Sequence, residues 1–165
     1  MAQNFDCDDL AQLAKSITND VTQLTNEIDG AIERINIMQD EITEAKEVIW
    51  HESVSLENDG LTEPEINMAN LRIEFAVAKK NSSAFALRKA IEDLSMARIR
   101  LHRTMARMDE FDELAQALRD KHLVTYIASL LVEYEGRPNY IELIQEQARC
   151  SKHKILDVEK QLKKS

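Results

Sequence analysis

From Leu10 onward, apolar residues recur in alternating steps of four and three: Leu10, Ala14, Ile17, Val21, Leu24, Ile28, Ala31, Ile35, Met38, Ile42, Ala45 and Ile49. All twelve positions are apolar, and a seam that repeats every 3.5 residues without a polar break predicts a coiled-coil helix. The helix is expected to span about residues 6–56, roughly 75 Å at ~1.5 Å per residue. Gly30 lies inside it at a cost of about 1 kcal/mol relative to Ala, which tertiary packing must override.

A short connection follows at Glu57-Asn58-Asp59-Gly60-Leu61. Thr62 is placed to cap a second helix, with Glu65 three residues on and Pro64 tolerated in the first turn. That helix is expected over about 62–135. Its seam reads Ile66, Asn70, Ile73, Val77, Lys80, Ala84, Leu87, Ile91, Leu94, Arg98, Leu101, Met105 and Met108. The stripe weakens near Asp120, resumes through Leu123, Ile127, Leu130 and Tyr134, and stops at Gly136-Arg137-Pro138. A third helix is expected over about 138–164, with Ile141, Ile144, Ala148, Ser151, Ile155, Val158 and Leu162 on one face.

The short connection makes the two long helices antiparallel neighbours. The expected fold class is therefore all-α: a long antiparallel helical hairpin, or coiled coil, extended by a third C-terminal helix that folds back on residues 110–135. The whole chain, 1–165, reads as a single elongated helical coiled-coil domain. Facing positions are expected to have residue numbers totalling 118 or 119. Ile17 then faces Leu101, Leu24 faces Leu94, Ile28 faces Ile91, Ala31 faces Leu87, and Ile42 faces Val77. In this register Lys79 and Lys80 fall near Asp40 and Glu41, and Arg88 and Lys89 near Asp29. Residues 1–66 hold sixteen acidic and three basic residues, whereas 79–107 hold eight basic and two acidic ones. Such a pattern sets orientation and partner choice more than stability.

Composition supports this reading. Only three Gly and two Pro interrupt 165 residues, aromatics are 5% and charged residues 31%, which suits long helices and not a turn-rich β fold. A net charge of −9 argues against nucleic-acid binding by the chain as a whole. The basic run Arg98-x-Arg100-x-His102-Arg103-x-x-x-Arg107 contains no aromatic for base stacking, and reads as a face that pairs with the acidic first helix. The acidic N-terminus is no secretory signal, and the apolar stretch at Ile127 to Val132 is too short for a bilayer. Cys7 and Cys150 are expected as free thiols in a reducing, intracellular compartment.

Candidate chemistry is sparse. Cys150 and His153, three apart on the third helix, supply only two of the ligands a metal site needs. Asp6, Asp8 and Asp9 lack cation-loop spacing, and Glu110 with Glu113 sit in a segment too acidic to be buried as an acid–base pair. Three isolated glycines form no phosphate loop. The expectation is no enzyme, no cofactor and no metal.

Apolar residues off the seam are more informative. Ile32, Ile37, Val48 and Trp50 need cover that a two-stranded coiled coil does not provide, and are expected to form a partner interface. With the seam taken as a and d, the charged e and g positions of the first helix are Asp20, Glu27, Arg34, Glu41 and Lys46. Their acidic excess offers two copies little to pair with, which favours a heteromeric coiled coil over a homodimer.

The segment Arg107-x-x-Glu110-Phe111-Asp112-x-Leu114-Ala115-x-x-Leu118, with Ile91 and Arg103 upstream, resembles the R-x-x-E-Y-D-x-L-A-x-x-I segment of the small coiled-coil subunit 7 of the THO complex, an mRNA-export assembly. The likeness covers about 28 residues, and the proline-containing turn that follows in that family has no counterpart between Arg119 and His122. The resemblance implies a nuclear structural subunit with a larger coiled-coil partner; without it the cytoplasm is expected. The functional expectation is a non-enzymatic scaffold or adaptor subunit of a multiprotein complex. The alternatives are a helical-hairpin chaperone or stalk of a secretion or transport system, or an acidic inhibitor of a basic enzyme.

Overall fold

The computed structural model of the chain describes residues 7–119 and 140–164. Three helices account for them: α1 (Cys7–Ser55), α2 (Glu63–Arg119) and α3 (Tyr140–Lys164). The fold is all-α, with α1 and α2 packed as a helical hairpin and α3 added to it. The expected passage of α2 through residues 120–135, the stop at Gly136-Arg137-Pro138 and the start of the third helix at 138 lie outside the described residues.

The connection between α1 and α2 forms as a sequence with Asn58 and Gly60 permits. The Leu56 amide donates to the Glu52 carbonyl, and the Glu57 and Asn58 amides donate three residues back, tightening the last turn. The Gly60 amide donates to Asn58 Oδ1 at 3.2 Å, a side-chain turn of the kind that Asn favours. The Thr62 carbonyl then accepts the first α2 bond, from the Ile66 amide at 3.0 Å, so Thr62 stands at the N-cap position. Glu63 and Glu65 follow in the first turn, where negative charge is favoured.

By internal packing the chain divides into two compact units, Met1–Asp29 with Leu94–Ser165, and Gly30–Asp93. The first is a three-helix bundle. Leu10, Ile17, Leu24, Leu94, Leu101, Phe111, Ile144 and Ile155 are buried in it. Arg98 contacts Glu159, and Asp112 accepts from Gln145, so α3 runs antiparallel to α2. Thr25 meets Ser151 at 3.3 Å and Asp29 meets Lys154 at 3.0 Å, so α3 runs parallel to α1. Among the described residues the third helix thus lies along residues 98–112 of α2; the expected packing against 120–135 falls outside them.

The second unit is a two-helix hairpin with a narrow core: Ala31, Ile35, Ala45, Ala69, Ala76, Ser83 and Ala90. Ser83 satisfies its hydroxyl on Glu41, 2.8 Å away. Thr18, Thr104 and Ser151, the other buried hydroxyls, also have partners, and no buried side-chain nitrogen or oxygen among the described residues lacks one.

The register differs from expectation by one heptad. In the bundle Arg107 pairs with Asp20 and Arg100 with Glu27; in the hairpin Arg34 pairs with Asp93, Arg72 with Glu52 and Ser83 with Glu41. These numbers total 124 to 127, about seven above the expected 118 or 119. Leu24 is therefore level with Leu101, Ile35 with Ala90 and Ile42 with Ser83. A slip of one heptad leaves every apolar residue in a seam, so periodicity cannot choose between the two registers. The cross-helix ion pairs mark the register that forms, in which the isoleucines of α1 meet Ala76, Ser83, Ala90 and Ala97, small residues repeating every seven positions along α2. The expected pairing of Arg88 and Lys89 with Asp29 is replaced, because Asp29 pairs with Lys154.

Candidate interaction surfaces

Of the expected seam residues, Ile17, Leu24, Ile28, Leu94 and Leu101 are buried, while Ile42, Leu87 and Ile91 are half-buried. Val77 is exposed, because its neighbour Ala76 occupies the seam. The larger side chain was the natural choice on periodicity alone, but the close approach of two helices selects the smaller one. The same substitution of neighbour holds at Ser83, Ala90, Ala97 and Thr104, which are buried beside Ala84, Ile91, Arg98 and Met105.

The residues expected to face a partner stand outward in the hairpin unit. Ile37 is 45% exposed, Val48 42% and Trp50 63%, with the Trp50 ring edge-on to His51; Ile32 is half-buried. A second group, on α2, is absent from the expectations. Met68, Leu71, Phe75 and Phe85 are exposed, the two phenylalanines at 70% and 73%. With Ala78 and Ser82 between them, they advance in steps of three and four. This is a second heptad stripe, outside the seam that binds α1. The signal was present in the sequence: an α2 with large apolar residues on both sides of a small-residue stripe serves two neighbours.

On the hairpin unit α1 carries an acidic excess, whereas α2 carries acidic and basic residues in equal number. Among the described residues, Asp40, Glu44 and Glu47 of α1 have no ion pair, and neither do Lys79, Lys80 and Lys89 of α2. The bundle differs: Arg100, Arg107, Arg98 and Lys154 are each paired, to Glu27, Asp20, Glu159 and Asp29. The basic run of α2 thus divides, with Arg100 and Arg107 on α1 and Arg98 on α3.

Within the bundle a groove of about 650 Å³ opens between α2 and α3. Ile99, Leu101 and Met105 line it with His102, Arg103 and Lys152, and the Arg98–Glu159 pair closes one side. Three of the residues that carry the THO resemblance serve the bundle itself. Arg107 binds Asp20 and Ser16, Phe111 is buried, and Asp112 accepts from Gln145.

No group of three or more His, Cys, Asp or Glu among the described residues could hold a metal ion. Cys150 is exposed with its thiol toward Glu146, and Glu110 and Glu113 are exposed. No described helix is long and apolar enough to cross a membrane. The chain matches no family model, no curated protein and no solved structure.

Proposed function

We propose that this protein is a non-enzymatic coiled-coil subunit of a multiprotein assembly, which docks other helices on the outer faces of its hairpin unit. The supporting observation is the contrast between the two units. Three helices in the bundle bury Leu, Ile and Phe. The hairpin unit buries mainly alanine and leaves Trp50, Leu71, Phe75 and Phe85 in water. Exposed apolar residues in heptad steps are what a coiled-coil surface requires before its partner arrives.

Affinity purification from the native cell tests this. Wild-type chain should retain partner proteins that a Leu71→Asp, Phe75→Asp chain loses while keeping its helicity. Equal recovery from both would overturn the proposal. The narrower reading, a nuclear mRNA-export assembly, rests on the resemblance of Arg107 to Leu118. Export factors among the retained proteins would support it, and secretion components would instead favour a chaperone or stalk.

A further inference from the structure

We propose that one side of the hairpin unit is covered by a second copy of this chain, giving an antiparallel four-helix bundle with a two-fold axis along the helices. The inference rests on the proposed function and names the partner for one of its faces. Heptad positions define the side. With Ile35, Ile42 and Ile49 at a in α1, and Ile73, Lys80 and Leu87 at a in α2, Arg34 and Asp93 are both g, and they form an ion pair at 3.8 Å. The g positions of both helices therefore share one side of the hairpin, as antiparallel packing requires.

Adjacent c and g positions along that side carry Ile37, Glu44 and Val48 on α1 and Met68, Phe75 and Lys79 on α2. All four apolar members are exposed. Glu44 and Lys79 carry opposite charges, and neither has an ion pair among the described residues. The acidic excess that argued against self-association belongs to α1 alone. A two-fold axis along the helices sets α1 not against another α1 but against α2 of the second copy.

Such an axis keeps the two copies level, so the register within the hairpin also holds between them. Val48 then lies against Phe75 of the second copy and Glu44 against its Lys79. Apolar meets apolar and carboxylate meets ammonium, twice by symmetry. The area suffices. About 27 residues of each helix at ~1.5 Å per residue, two helices of ~10 Å wide, present a strip of about 800 Å² per copy. That is the usual contribution of one partner to a stable interface.

Sedimentation equilibrium of the full chain, with its variants, tests the proposal. Wild-type protein should show twice its 18.9 kDa mass at micromolar concentration. Phe75→Asp should be monomeric with unchanged helicity, because Phe75 is already exposed within one copy. Glu44→Lys and Lys79→Glu should each weaken the dimer about tenfold or more, and together in one chain restore it. Trp50→Gln, at a b position on the opposite side, should leave the dimer intact. A wild-type chain that stays at 18.9 kDa, or a dimer that survives Phe75→Asp, overturns the proposal. So does a dimer lost with Trp50→Gln, or single reversals without effect. A monomer that still captures another helical protein through Phe75 overturns the self-association and leaves the proposed function standing.

Discussion

Lys154 Nζ lies 3.0 Å from Asp29 Oδ1, joining α3 to the acidic helix at a residue that charge pattern had assigned to Arg88 and Lys89. Both side chains are about half exposed, so the pair itself should contribute less than about 1 kcal/mol. What holds α3 is the apolar face beneath it, where Ala148, Ser151 and Ile155 have almost no accessible surface. Urea unfolding should separate the two effects. Ile155→Ala should cost about 2–4 kcal/mol, and Lys154→Ala less than about 1 kcal/mol. The reverse order would place the docking energy of α3 in its charges.

The register is open to a covalent test. In a chain with Cys7 and Cys150 replaced by Ser, cysteines at positions 24 and 101 should oxidise within one chain. Cysteines at 24 and 94 should not, since seven residues along α2 is about 10 Å, beyond the reach of a disulfide. Mass spectrometry after mild oxidation gives the answer, and a 24–94 bridge would restore the register expected from the sequence.

The existence of three helices, their order and the connection at Asn58 to Thr62 were legible because twelve unbroken heptad positions and well-placed turn residues have few other solutions. The register was not. Val77 and Ile91 drew the seam toward themselves, whereas Ala76 and Ala90 occupy it. Hydrophobic periodicity weighs side chains by size, but a seam already filled by Ile35, Ile42 and Ile49 has room only for small partners. The outward group Ile37, Val48 and Trp50 could be read as off-seam residues. Met68, Leu71, Phe75 and Phe85 were hidden among a helix thought to have one apolar face.

The pairing of large with small predicts a specific coupling. Ala90→Leu should destabilise the fold by about 1–3 kcal/mol, because Ile35 stands level with it and the helices cannot part without opening the seam. Combining it with Ile35→Ala should recover a substantial part of the loss, as a volume-conserving swap does. Thermal melts of the two single variants and the double variant measure this coupling. Strict additivity would show that the two positions do not meet.

Gly30 lies inside α1, and a methyl group there would meet only the Arg34 guanidinium, at 3.4 Å. No close backbone approach explains the glycine. Gly30→Ala should therefore stabilise the chain by up to about 1 kcal/mol through helix propensity. A rise in Tm by calorimetry is the expected result; a fall would mean that the Arg34 side chain cannot move aside.

The most direct test of the central claim, that the hairpin unit is a docking surface, is amine crosslinking of the assembly isolated from its native cell, followed by mass spectrometry. Lys79, Lys80 and Lys89 stand on α2 of that unit, Lys79 and Lys89 exposed and Lys80 half-buried, and have no ion pair among the described residues. The account predicts crosslinks from these lysines to another polypeptide, either a different protein or, by isotope mixing, a second copy. Crosslinks from Lys79, Lys80 and Lys89 that all return to the same chain, while bundle lysines such as Lys152 reach the partner, would contradict it.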